Sequence, residues 1–215
     1  MKRDARASAP TIATFVTDGP LAPGEVTLGE DAAHHMRVRR LAVGDAVALR
    51  DGMGRSADGT LVRLAKSTAV VTCDAVREHA PPPAVHLLVP IADRERMLWA
   101  AEKCVEVGVA SWRAVRFRRS ASVGGRGEGD AFREKVRARM RAALAQSEAA
   151  WLPVLLPDAT LDVAVAEARA GVRLALDAEG DPVLAFAPAA GDAVTLVVGP
   201  EGGLEPDELA ALDAA

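Results

Sequence analysis

The sequence predicts an α/β chain in two parts: a small β domain, then a larger domain whose parallel sheet is covered by helices. Three observations predict it. Short apolar and β-branched runs punctuated by Gly-Asp and Asp-Gly pairs fill the first 76 residues, Pro81-Pro82-Pro83 interrupts them, and strand-like and helix-like segments alternate beyond it. The chain has 215 residues, half of them apolar, which is enough to bury a core in each part.

In chain order, Glu25 to Leu28, Ala46 to Arg50, Thr60 to Leu64 and Ala69 to Val76 read as strands separated by turns at Gly44-Asp45, Asp51-Gly52 and Asp58-Gly59, a pattern that favours a barrel or sandwich. A helix from about Gly29 to Arg40 interrupts them and brings Arg37 and Arg40, three apart, onto one face. Residues 77–84 hold three consecutive prolines, so they are expected to form a stiff extended linker between a β domain at 1–76 and an α/β domain at 85–215. Next come a strand at Val85 to Pro90 and a helix at Asp93 to Val107, with Asp93 as cap, Met97, Ala101 and Val105 as apolar stripe and Gly108 as stop. A strand at Ser111 to Phe117 and a glycine-rich loop at Gly124 to Gly129 lead to a helix at Asp130 to Ser147. Phe132, Val136, Met140 and Ala143 form its buried stripe, with Arg133, Arg137 and Arg141 along one flank. The remaining segments read as strand Val154 to Leu156, helix Leu161 to Ala170, strand Val172 to Leu176 and strand Val194 to Val198.

Several function classes are argued against by composition. No run approaches the roughly 18 uncharged apolar residues of a membrane span, and Met-Lys-Arg-Asp-Ala-Arg lacks the apolar stretch of a secretion signal, so a cytoplasmic protein is expected. Cys73 and Cys104 are far apart with no neighbouring ligand and read as core thiols. His34 and His35 are adjacent and so point different ways on a regular element, which argues against a metal site.

Net charge is −4, but its distribution is uneven. Residues 1–112 carry 14 basic and 14 acidic side chains, residues 113–141 carry 10 basic against 3 acidic, and residues 142–215 carry 2 basic against 13 acidic. An arginine-dominated excess of this size is the footprint of phosphate contacts. The same arginines could instead pair with the acidic last third.

Residues Thr195 to Gly203 read Thr-Leu-Val-Val-Gly-Pro-Glu-Gly-Gly, an apolar strand running into a side-chain-poor turn before a helix expected at about Pro206. Ligands of open α/β sheets bind beyond the carboxyl ends of strands, where glycine admits close approach to backbone amides. A ligand-binding turn is therefore expected here, the alternative being a plain strand-to-helix turn. Glu201 has two open readings, a polar role in that site or a helix cap.

These features together resemble the RsmE family of bacterial ribosomal RNA methyltransferases, within the trefoil-knotted SPOUT superfamily. The residues carrying the resemblance are His35, Arg37 and Arg40 followed by Gly44-Asp45; Asp51-Gly52; Glu102-Lys103 with Glu106, Gly108 and Val109; Arg119-Ser120; Gln146-Ser147 and Pro153; and Leu196 to Gly203 with Glu208. The resemblance implies a PUA-like β-barrel RNA-binding domain and a SPOUT methyltransferase domain, acting as a homodimer. The reaction it implies is methyl transfer from S-adenosylmethionine to N3 of one uridine in 16S ribosomal RNA, on free RNA or on the small ribosomal subunit, with no metal and no membrane. Val198, Gly199, Pro200, Glu201, Gly202 and Gly203 would then form one wall of the cofactor pocket, and Leu176 and Asp177 a second. Arg37 and Arg40 would hold RNA from the first domain, Lys103 and Arg119 from the second; the residue that removes the N3 proton is not identified.

Two departures from the family pattern stand out. Ala145 and Ala149 occupy places where the family usually has glutamate and arginine. The sequence also stops at Ala215, before the strand and the Leu-Gly-x-Arg-x-Leu-Arg-x-Glu-Thr-Ala segment with which family members close the pocket and the knot; either a tail follows Ala215 in the native protein, or the pocket is open on one side. Another SPOUT activity, such as ribose 2'-O methylation, and a catalytically impaired RNA-binding relative are the alternatives.

Overall fold

Strand and helix positions were established in a computed structural model that describes residues 12–120, 127–168, 171–176, 180–182, 185–186, 188–189 and 191–214. The chain divides into two compact units, Met1–Ala80 and Pro81–Ala215.

The first unit contains β1 (Ala13–Val16), β2 (Gly24–Leu28), α1 (Glu30–Val38), β3 (Ala46–Arg50), β4 (Arg55–Leu64), β5 (Ala69–Cys73) and β6 (Arg77–Glu78). They form one sheet in the order β1-β3-β4-β5-β2, with β6 beside β4; β1 and β3 run parallel and the other pairs antiparallel. Phe15, Leu21, Leu28, Met36, Val47, Leu49, Leu61 and Val71 make its core. Alternation puts Val47 and Leu49 on one face of β3, which is why this strand was legible from sequence.

Two expectations are corrected here. Asp58-Gly59 is not a turn but lies inside β4, because β5 passes so close that a Cβ on Gly59 would meet Val71 Cγ1 at 2.5 Å and the Thr72 carbonyl at 2.8 Å. Residues 77–78, expected within the linker, pair with Ser56 and Arg55 as a short edge strand; Arg77 also donates to Asp58 at 2.9 Å, which holds that carboxyl below its usual range. Asp51, at an expected turn, is buried. Its carboxylate accepts from the backbone N–H of Leu21 (3.2 Å), Met53 (2.8 Å) and Arg55 (3.0 Å), tying the β3–β4 connection together.

The second unit contains β7 (Val85–Pro90), α2 (Arg94–Val107), β8 (Ser111–Arg116), α3 (Asp130–Gln146), β9 (Val154–Leu155), β10 (Ala159–Thr160), α4 (Leu161–Ala166), β11 (Val172–Leu176), β12 (Val194–Val198) and α5 (Pro206–Asp213). Its sheet runs β10-β8-β7-β12-β11, with β9 also on β8, and every pair is parallel. Asp93 caps α2 by accepting from the N–H groups of Glu95 and Arg96, and Gly108 closes it in the left-handed region at φ 78°. α2 packs on α3, and Leu88, Val115, Phe117, Leu161, Ala164 and Val197 form a core on the sheet face under α4. Burial pushes the Cys104 thiol up to about 11, so it stays protonated as expected of a core thiol. α4 ends at Ala166, short of the Ala170 expected, and residues 124–126 of the glycine-rich loop lie outside the described residues.

Candidate functional site at the carboxyl edge of the parallel sheet

β11 and β12 are in register from Val172 with Val194 to Leu176 with Val198. The two expected cofactor walls therefore start from neighbouring strand ends: Leu176, 42% exposed, lies beside Val198, and the chain turns immediately at Gly199. Asp177 lies outside the described residues. Pro200 is buried, whereas Glu201, Gly202 and Gly203 are exposed, Gly203 at φ 76°. A strand end with an apolar ledge and three glycines around the turn can hold a flat heterocycle against backbone.

The turn is held from below by a network that the sequence did not reveal. Glu208 in α5 is buried, and its carboxylate accepts from the backbone N–H of Arg118 (2.8 Å) and of Glu205 (2.9 Å). Glu205 returns the contact as the N-cap, completing a capping box with Pro206 at the first helical position. Arg119 donates from Nε to Glu205 Oε1 at 2.7 Å and from Nη1 to the Gly202 carbonyl at 2.9 Å. A Cβ on Gly202 would meet Arg119 Cβ at 3.1 Å. Arg118 pairs with Asp207, and Arg96, from the first turn of α2, pairs with Glu201. Of the two readings of Glu201, the helix cap is not adopted: Glu205 caps α5, and Glu201 faces Arg96.

The expected RNA contacts fall in different settings. Arg37 Nη1 donates to the Ala65 carbonyl at 2.7 Å and also to the Lys66 carbonyl, so part of its capacity anchors the β4–β5 turn. Arg40 is exposed, and its side chain has no partner among the described residues. It holds φ 59°, a conformation that costs a non-glycine residue about 1–2 kcal/mol. Arg40→Gly should therefore keep or raise the unfolding temperature while removing a cation, and thermal denaturation beside an RNA-binding titration would read the two effects separately. Lys103 donates to Glu106 (2.8 Å) and Glu102 (3.2 Å), and these carboxylates raise its pKa above the usual lysine value. Arg119 clamps the glycine turn, with its side chain 47% exposed.

The electropositive stretch divides in the same way. Arg113 is buried and donates to Glu167 at 2.7 Å; Arg116 pairs with Glu128, Arg133 with Asp130, Arg137 with Glu134 and Arg139 with Glu102. The pairs from Arg113, Arg118 and Arg119 reach into the acidic last third, so part of the charge segregation serves folding. The exposed pairs are individually worth about 0–1 kcal/mol and exchange readily for phosphate. His35 accepts from Arg39 at 3.0 Å and packs edge-on against Phe15, with 5.7 Å between ring centroids. A groove of about 580 Å³ lies elsewhere, over the amino-terminal halves of the strands, lined among others by His86, Ser111, Arg113, Trp151 and Thr195.

Residues 79–215 match the sequence profile of the RNA methyltransferase domain, and residues 28–72 that of the RNA methyltransferase PUA domain. The ribosomal RNA small subunit methyltransferase E of Mycobacterium bovis is 31% identical over 196 residues, covering 87% of this chain and 74% of that protein. The chain belongs to the methyltransferase E family. The fold agrees. A methyltransferase E from Neisseria gonorrhoeae bound to S-adenosyl methionine superposes with a TM-score of 0.83 at 22% identity, over 94% of this chain and 86% of that one. A predicted RNA methyltransferase from Thermotoga maritima superposes with a TM-score of 0.75 at 31% identity, over 94% and 88%. Within this family frame, the PUA match explains the small β unit, and the methyltransferase match spans the whole parallel sheet together with the glycine turn.

Proposed function

We propose that this chain transfers a methyl group from S-adenosylmethionine to N3 of a uridine in 16S ribosomal RNA, using the turn 199–203 as one wall of the cofactor site. The observation that carries the reading is the register of Leu176 with Val198 immediately before Gly199: two apolar strand ends side by side, followed by a turn stripped of side chains. Such a surface fits adenosine, whose ring needs an apolar ledge and whose polar edge is matched by backbone groups. The bound cofactor supplies an already activated methyl group, so the protein's work is to orient and to exclude water.

This chain's residues do the rest. Glu208, Glu205 and Arg119 fix the turn, so the methyl group and its acceptor are aligned by a rigid edge rather than a flexible loop. Arg96, held beside the turn by Glu201, can stabilise negative charge developing on a uracil carbonyl as the N3 proton leaves. Arg37 and Arg40 contribute phosphate contacts from the first unit, and Lys103 adds one from α2. The target uridine must be unstacked to reach the turn. No helix among the described residues is long and apolar enough to cross a membrane, and we take the protein to act in the cytoplasm, where ribosomal RNA is found, as a homodimer.

Incubation with isotopically labelled methyl donor and small ribosomal subunits lacking the modification, followed by nucleoside mass spectrometry, tests this. N3-methyluridine is the expected product. A 2'-O-methylated nucleoside would transfer the chain to another reaction, and donor binding with no product on any RNA would overturn the reading.

A further inference from the structure

Among three tryptophans in the chain, Trp99 is 63% exposed on α2, whereas Trp112 is 2% exposed. An exposed indole offers a flat π face that another planar ring can cover. On a helix, residues three and four apart lie one above the other. Trp99 accordingly sits between Arg96, one turn toward the amino end, and Lys103, one turn toward the carboxyl end. Arg96 reaches Glu201 in the glycine turn, so this stripe begins at the mouth of the site. Its axial span from Arg96 to Lys103 is about 10 Å. Arg139 of α3 joins the same cluster through Glu102, which it shares with Lys103.

We infer that Trp99 is a stacking platform for an unpaired RNA base next to the target nucleotide, with Arg96 and Lys103 taking the phosphates on either side. The inference rests on the proposed function for the identity of the target, but not for the stacking itself. A cation–indole–cation stripe is the recurrent solution for single-stranded nucleic acid, since every base has a π face and every linkage a phosphate. Glu102, Glu106 and Glu201 neutralise the cations in the free protein, and these exposed pairs open at little cost when phosphate arrives. A second copy of this chain fits the stripe less well. Its exposed apolar residues, Trp99 and Val107, are separated by the Lys103 ion pairs and form no continuous apolar surface.

The test is a fluorescence titration of the intact protein with a mixed-sequence, uridine-containing single-stranded octaribonucleotide. RNA should quench tryptophan emission, Trp99→Ala should abolish the quench and weaken binding by roughly 5- to 150-fold, and Trp99→Phe should recover most of the affinity. S-adenosylmethionine affinity, measured by calorimetry, should stay at the wild-type value in both variants. Unchanged RNA affinity in Trp99→Ala overturns the inference, as does a sedimentation result in which Trp99→Ala dissociates a dimer while RNA leaves the wild-type emission untouched. Wild-type protein that binds and quenches but never transfers a methyl group would defeat the proposed function and leave the stacking site standing.

Discussion

Glu208→Ala should lower the unfolding temperature by about 6–12 °C and reduce S-adenosylmethionine affinity at least tenfold, although residue 208 is in the helix beyond the turn. The carboxylate is buried and accepts two backbone N–H groups, from Arg118 and Glu205. Deleting it leaves both donors without an acceptor, at about 3 kcal/mol in total after partial rescue by water. For a domain of this size each kcal/mol shifts the transition by about 2–4 °C. The loss spreads to binding because the same contacts fix the loop from which Arg119 holds the Gly202 carbonyl. Glu208→Gln should be nearly as harmful, since its amide keeps one acceptor but turns a donor toward the second N–H. Scanning calorimetry with binding calorimetry checks both effects, and an unchanged transition in Glu208→Ala would show that the carboxylate is not holding the turn.

Gly171→Ala should be the most destabilising single methyl added among the described glycines. Gly171 sits at φ 144°, and a Cβ there would lie 2.2 Å from the Ala193 carbonyl oxygen and 3.0 Å from its carbon. That carbonyl accepts from Val172 N–H at 2.9 Å, the contact that opens the β11–β12 ladder. A β-carbon cannot share the space, so the strand end must shift, at about 3 kcal/mol or more. The displacement would be felt at the far end of β11, where Leu176 faces Val198. Gly191→Ala is the matched control: its φ is 96°, but nothing lies within 4 Å of the added carbon, and it should cost only about 1 kcal/mol. Urea unfolding of the two variants separates steric exclusion from backbone preference.

Much of this molecule was legible in the chain because strong local signals agreed with the tertiary structure. Val85–Pro90, Val172–Leu176 and Val194–Val198 are apolar, β-branched runs with clear stops, and all three form where the pattern put them. α2 was equally clear from Asp93 and Gly108, whose roles as caps need only local geometry. The misreadings came where a local signal had a distant cause. Asp58-Gly59 has turn chemistry, yet the glycine answers to Val71 across the sheet. The two-residue strand Arg77–Glu78 is set by its pairing with β4 and carries no signal of its own. The arginine excess was visible as a sum, but not its division: Arg113 is buried against Glu167, Arg119 braces the glycine turn, and Arg40 stands open. Partnerships across 80 or 90 positions, such as Glu208 with Arg118, leave no periodicity to find.

The order of the parallel sheet also sets a timetable for biogenesis. β7, near the centre of that sheet, is flanked on one side by β8, made soon after it, and on the other by β12, whose Val194 pairs with Val85 about a hundred positions back. During translation at about 5–20 residues per second, the central strand must wait roughly 5–20 s with one flank bare before its second neighbour emerges. Nascent chains of this protein should therefore acquire protease resistance in the small amino-terminal unit first, and in the catalytic unit only after β12 has cleared the exit tunnel.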